Sequence, residues 1–207
     1  MQGRTLKMKF DINRFLVSAA QVLLLKDRKT ADELYGMIRE ETAGKDVVEI
    51  GCRNGMITEN AAGAANSWTA CAGTEEDLRS AAKRKLPQNV TCIQAEAEHI
   101  PFDDHFFDAA VLFEAPAAGY DIERVLKEAG RVLKKDGVLI APCYVKGNVS
   151  PMQGILLRIM NPTALLASRS PDIYEYRNLF LNNGWIEEEE RICPGTLPLM
   201  YTVWKKH

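Results

Sequence analysis

The sequence predicts an α/β protein: a doubly wound, mostly parallel seven-stranded sheet with N-terminal helices and an antiparallel C-terminal hairpin. Three observations carry this. From residue 46 onward short apolar runs alternate with helical segments, which implies right-handed crossovers and a parallel sheet covered on both faces. The runs are continuously apolar rather than alternating, as strands buried on both sides are. The last two runs lie close together across Pro194-Gly195, the spacing of an antiparallel pair that closes a sheet edge.

The elements follow in order. VVEIG (47–51) is a compact β run ending in glycine, and Asn54-Gly55 opens a helical stretch to about residue 65. WTACA (68–72) is the second strand, EEDLRSAAKRKL (75–86) a charged amphipathic helix, and VTCIQ (90–94) the third strand. FFDAAVLFEA (106–115) holds the fourth strand, DIERVLKEAGRVLK (121–134) the next helix, and GVLIAPCYV (137–145) the fifth strand. A helix at about 172–182 precedes the paired runs 185–193 and 197–206. Upstream, helices are expected at about 10–25 and 30–42. The apolar stretch 15–25, FLVSAAQVLLL, is too short for a membrane span, which needs about 20 residues. It reads as a buried or docking helix.

Composition narrows the function classes. The chain has 207 residues, 46% of them hydrophobic and 26% charged, which suits a globular fold without a disulfide or metal staple. Its 26 Lys and Arg balance 28 Asp and Glu, a net charge of -2, so nothing suggests the basic face that nucleic-acid binding needs. The five cysteines form no C-x-x-C pair, which removes zinc-ribbon and thioredoxin readings and points to a reducing cytoplasm. His99 and His105 flank a loop without metal-ligand spacing, and Ser150-Pro151 lacks a G-x-S-x-G elbow. The acidic run Glu187 to Glu190 reads as a solvated strand face.

In an open α/β sheet the ligand lies at the carboxyl ends of the strands. Glu49-Ile50-Gly51-Cys52-Arg53-Asn54-Gly55 occupies that place after the first strand. It is not the G-x-G-x-x-G of dinucleotide folds, so a nucleotide-cofactor oxidoreductase is weakly supported. It resembles instead the E/D-x-G-x-G-x-G loop of class I S-adenosylmethionine (SAM) methyltransferases, small-molecule type. QAEAEHIPFDDHFFDAAV (94–111) and EAGRVLKKDGVLI (128–140) are similar to two further blocks of that family, in order and at its spacing.

The resemblance implies a Rossmann-like sheet, SAM as cofactor and a small-molecule acceptor. It divides one domain into a helical cap (1–45), a cofactor-binding core (46–145), a variable substrate or lid segment (146–170) and a closing helix and strand pair (171–207). Cofactor-binding residues carried over are Glu49, Gly51, Cys52, Arg53, Gly55, Thr74, Glu96, Ala97 and Phe113. Among them Glu49 faces the cofactor's amino-acid end, Glu96 the adenine amino group and Ala97 the adenine ring. The alternative for Glu49 is a solvated strand-end carboxylate, and for Phe113 simple core packing. Glu114, Tyr120 and Tyr144 are the candidates for groups near the acceptor, with Phe10, Phe15 and Tyr35 as candidate lid residues. The 150–168 cluster suits a lid, a lipophilic-substrate wall, a homodimer surface or plain packing.

Two positions depart from the family pattern. Arg53 stands at the loop's middle glycine, where it would point to solvent, pair with Glu49, meet the cofactor's carboxylate, fill the pocket or repel the sulfonium. Ala72 stands where an acidic residue is expected to hold the ribose hydroxyls, with Glu75 or Glu76 as substitutes a turn away. Losing a charged hydrogen bond costs about 1.5–3 kcal/mol, roughly 10- to 150-fold in affinity. Lys135-Asp136, in place of Pro-Gly, is a turn variant. These departures set a second hypothesis beside the enzyme: a degenerate methyltransferase fold acting as a binding or scaffold module.

Overall fold

The computed structural model describes residues 27–117, 120–146, 170–194 and 197–207. The expected helix at about 10–25, with Phe10 and Phe15, and the cluster 150–168 lie outside them. Helix α1 (Arg28–Thr42) precedes β1 (Asp46–Ile50), α2 (Met56–Ala61) and β2 (Ser67–Ala72). Next come α3 (Glu75–Ala81), β3 (Val90–Gln94), β4 (Phe107–Val111), α4 (Ile122–Val132) and β5 (Leu133–Ile140). Strand β6 (Cys143–Tyr144), α5 (Ile173–Leu181), β7 (Trp185–Cys193) and β8 (Leu199–Lys206) complete the order.

The strands form one sheet in the order β3-β2-β1-β4-β5-β8, with β6 and β7 also paired to β8. Strands β1 to β5 pair in parallel, and β8 runs antiparallel to β5, β6 and β7. The sequence predicts seven strands and the sheet has eight. The difference is a single proline. Val138, Leu139 and Ile140 of β5 face Lys205, Trp204 and Val203, and Cys143 and Tyr144 of β6 face Met200 and Leu199 in unbroken register. The Ala141 N–H still donates to Thr202 O at 2.9 Å, but Pro142 has no N–H to give. One physical strand is thus recorded as two.

Buried side chains serve the carbonyl just before Pro142. Ala141 O accepts from the Tyr176 hydroxyl at 2.7 Å and the Thr202 hydroxyl at 2.8 Å. Trp204 Nε1 donates in turn to Thr202 Oγ1 at 2.8 Å, and its ring stacks on Phe180 at 4.5 Å. This network ties α5 to the sheet with its buried polar atoms bonded, as a stable interior requires.

The continuous apolar runs are explained by two cores. Val47, Ala109, Val111, Val138 and Ile140 pack on the face that carries α1 and α2. Val48, Ala110 and Leu139 pack on the other face with residues of α4 and α5. Successive side chains alternate between two buried faces, so the run never needs a polar residue. Tyr35, a candidate lid residue, is a buried member of the first core, where α1 closes the sheet. Helix α3 ends at Ala81 rather than near residue 86. A Cβ on Gly55 would lie 3.0 Å from that of Ala81, and beyond it the Arg84 side chain bonds Asn54 O and pairs with Glu59 at 2.6 Å. Tertiary partners turn the chain before its helical pattern runs out.

The two downstream sequence blocks are coupled by one ion-pair network. Arg131 bonds Glu128 at 2.7 and 2.9 Å, the Ile100 and Phe102 carbonyls at 2.9 and 2.8 Å, and Asp104 at 2.8 Å. Glu128 in turn accepts the Ile100 N–H at 2.7 Å, and its pKa is lowered, first by the Arg131 hydrogen bonds. The guanidinium thereby fixes the loop entering β4. Replacing Arg131 by Met strands a mostly buried carboxylate and two carbonyls. We expect a loss of about 2–3 kcal/mol in urea unfolding. A loss under 0.5 kcal/mol would count against this role for the network.

Candidate cofactor cleft

Parallel pairing brings the carboxyl ends of β1 to β5 to one edge. The chain leaves β1 toward β2 and β3 on one side, then crosses to β4 on the other. The crevice between β1 and β4 is therefore the topological switch point, where such sheets hold ligands.

The loop after β1 is built to let a ligand approach its backbone. Gly51, Arg53 and Gly55 have φ of 75°, 54° and 71°. All three positions that carry glycine in the loop pattern are left-handed, although one now holds arginine. Cys52 N–H bonds Cys71 O at 2.8 Å and Gly55 N–H bonds Cys52 O at 2.8 Å, closing a turn whose first central residue is Arg53. Left-handed backbone at that position is ordinarily left to glycine. The loop has kept the glycine conformation after losing the glycine.

Tyr120 reaches this loop from beyond β4. A Cβ on Gly51 would stand 2.2 Å from the Tyr120 hydroxyl oxygen, so the phenol lies directly on the Gly51 backbone. Burial raises the phenol's pKa, while the field of Arg53 opposes that and those of Asp77, Glu98 and Cys52 add to it. Charged residues that follow β1, β2 and β3 thus lie within electrostatic range of one hydroxyl. Asp77 is the residue that sequence reasoning missed: Ala72 is fully buried and cannot offer a carboxylate, and Glu75 and Glu76 are exposed. Asp77, buried in the first turn of α3, bonds Thr74 through its side chain at 2.8 Å and its N–H at 3.1 Å. The signal available was the T-x-x-D spacing of an N-cap.

The other expected residues fall as follows. Glu49 is not a solvated strand-end carboxylate. It is buried and accepts from the Thr58 hydroxyl at 2.5 Å and Trp68 Nε1 at 3.0 Å, with no pairing to Arg53. Burial pushes its pKa up to about 7. Thr74 is the exposed N-cap of α3, and Cys52 is a buried thiol whose pKa burial raises. Glu96 is exposed and Ala97 buried at the same edge, where Ala95 N–H bonds Ala72 O at 3.0 Å. Phe113 is buried in the first core, as its packing alternative has it. Among the described residues no His, Cys, Asp or Glu group converges as metal ligands do. His105 Nδ1 faces Leu133 O at 2.9 Å instead.

Glu114 and Tyr144 meet. Glu114 is fully buried at φ 57°, its N–H bonds Pro142 O at 3.0 Å, and its carboxyl accepts the Tyr144 N–H. The carboxyl thus bridges the end of β4 to the strand beyond the proline break. Burial pushes its pKa up to about 8 and raises that of Tyr144 as well.

Comparison with known proteins places this architecture. A family model described as a methyltransferase domain matches residues 48–141. The demethylmenaquinone methyltransferase of Tropheryma whipplei is 30% identical over 184 residues, covering 86% of this chain and 74% of that protein. A ubiquinone/menaquinone biosynthesis C-methyltransferase of Rhizobium rhizogenes is 43% identical over 60 residues, 29% of this chain and 23% of that protein. In three dimensions the cyclase SpnF superposes with a TM-score of 0.69 at 17% identity, over 86% of this chain and 81% of that one. A SAM-dependent methyltransferase of Methanosarcina mazei superposes at 0.63 and 15% identity, over 82% and 96%. Fold, loop and relatives together define the class I SAM-dependent methyltransferase architecture. The chain belongs to that family.

The two buried carboxyls make a pH prediction. Their folded pKa values of about 7 and about 8 lie above the ordinary 4.5, so the folded chain holds protons that the unfolded chain has released. Their stabilising contribution is complete below about pH 4.5 and is lost as pH rises through 7 and 8. Urea unfolding between pH 5 and 9 should show wild-type stability falling, with a much flatter profile for the Glu49→Gln/Glu114→Gln double variant. Parallel profiles would refute the assignment.

Proposed function

We propose that this chain transfers a methyl group from SAM to a small, apolar acceptor of the prenylated-quinone class. The observation that carries the cofactor half is the retained left-handed backbone at 51, 53 and 55, at the switch point of the sheet. Ala72 is the misfit, and Asp77 is the nearby buried carboxylate on the same connection. The acceptor half draws on relatives whose names concern menaquinone, ubiquinone and sterol methylation.

When bound, SAM supplies an electrophilic methyl group. The chain's own work is positional. Gly51, Arg53 and Gly55 hold the cofactor's amino-acid end, Cys52, Thr74 and Asp77 the region beyond β2, and Glu96 and Ala97 the adenine. Phe113, Tyr120, Glu114 and Tyr144 border the acceptor side and exclude water from it. Alignment alone supplies up to about 7–11 kcal/mol, so no dedicated catalytic base is required. A cytoplasmic, reducing location is consistent with five unpaired cysteines; no helix among the described residues is long and apolar enough to cross a membrane.

A second reading, the fold without methyl transfer, is favoured by Ala72 and by the phenol resting on Gly51. A structural neighbour whose name is that of a cyclase illustrates that this fold does not dictate one chemistry. Thermal unfolding separates the two. SAM or S-adenosylhomocysteine at a hundred times its dissociation constant adds about 2.7 kcal/mol. For this chain length that is a Tm rise of roughly 5–11 °C, with none from NAD. Absence of a shift at millimolar SAM and S-adenosylhomocysteine would defeat the enzyme reading. A shift followed by methyl incorporation into demethylated quinols would establish the acceptor class.

A further inference from the structure

Among the described residues β3 pairs with β2 alone, so one side of the strand is an open sheet edge. It is also the one described strand without a buried residue: Val90, Cys92 and Ile93 are half-buried, and Thr91 and Gln94 are exposed. The opposite edge, β7, is blunted against further pairing. It carries four consecutive glutamates, a bulge between Glu187 and Glu189, and ion pairs from Arg177 and Lys205. Strand β3, Val-Thr-Cys-Ile-Gln, has no charge, no proline and no bulge.

The paired side of β3 sets the hydrogen-bond phase of the free side. Trp68 N–H bonds Asn89 O at 2.9 Å and Ala95 N–H bonds Ala72 O at 3.0 Å. Alternate residues of a parallel strand serve one neighbour, so Asn89, Thr91, Ile93 and Ala95 serve β2. Val90, Cys92 and Gln94 direct their main-chain groups outward, where the Val90 N–H alone finds a described partner, Pro87 O at 3.2 Å. The flanks of the strand are oppositely charged. Lys83 and Lys85 stand exposed before it, while Glu96, exposed, and Glu98, half-buried, follow it. Among the described residues neither lysine nor Glu96 is ion-paired.

We propose that β3 is a homodimer edge: two copies of this chain pair their β3 strands antiparallel about a two-fold axis at Cys92, continuing one sheet through both. At that register Cys92 exchanges both main-chain hydrogen bonds with the second copy's Cys92, and Gln94 N–H donates to the second copy's Val90 O. The axis sets the basic flank of each copy beside the acidic flank of the other, and it does so twice. A two-fold pairing of β7 about its centre would instead set Glu188 against Glu190. The dimer is independent of the cofactor reading.

Sedimentation equilibrium of the intact chain reads the monomer–dimer constant. Wild type should form dimers that weaken as ionic strength rises. Lys83→Glu/Lys85→Glu sets acid against acid and should raise the dimer dissociation constant about tenfold or more. Cys92→Pro removes the central outward N–H and spares the bonds to β2, as edge strands allow, and should leave monomer. A bifunctional methanethiosulfonate with a two-carbon spacer reads the register directly. It should join wild-type chains through Cys92, since the other four cysteines are buried, and should join none in Cys92→Ser. The two lysines are exposed, so their variant keeps its fold even where Cys92→Pro does not. A wild type that stays monomeric at every concentration overturns the proposal. So does a dimer that the lysine reversal leaves unweakened and that the reagent does not cross-link.

Discussion

Five residues of loop after β1 set the terms for this molecule. The turn from β1 into α2 has to reverse the chain within Gly51–Gly55 while leaving its backbone open to the crevice, and it does so with three left-handed residues. That geometry is fastened on every side. Cys52 bonds back to β2, Asn54 is held by Arg84, and Gly55 is packed against Ala81. The loop is consequently a rigid corner shared by β1, β2, α2 and α3, and an arginine can sit in a glycine's conformation because its neighbours over-determine the backbone.

The remainder of this edge is fixed by buried and half-buried polar groups. Arg131 and Glu128 gather the loop between β3 and β4. Glu114 spans the gap left by Pro142, and Tyr176 and Thr202 satisfy the carbonyl just before it. Each device binds a loop or a strand break that the sheet's own ladder cannot serve. These groups are costly to bury and are held in full hydrogen-bond networks, which is how a fold converts polar residues into precise loop geometry.

Function in this family is then decided by what the fixed edge presents. Against the family pattern, Arg53 stands at a glycine position of the loop and Ala72 at a position where an acidic residue is expected. At the Tyr120 hydroxyl the charge of Arg53 opposes those of Asp77 and Glu98.

The strands and their order of appearance were legible because a sheet buried on both faces imposes continuous apolar runs, which no tertiary detail can disguise. The loop motif and its downstream blocks were legible because turn backbone and ion pairs demand particular residues at fixed spacing. Where the sequence misled, long-range contacts had overridden local pattern. Helix α3 stops early because Gly55 and Glu59 claim its end, Glu49 is buried because Thr58 and Trp68 reach it from α2 and β2, and Tyr35 joins the core rather than a lid. Asp77 and Tyr120 could not be placed from their own neighbourhoods at all. Sequence by itself determined the elements and the glycine-type turn, since those depend on local conformational preference and periodic burial. Only the tertiary structure decided which charged and phenolic side chains face one another across the cleft, since that depends on parallel strands bringing distant loops to a common edge.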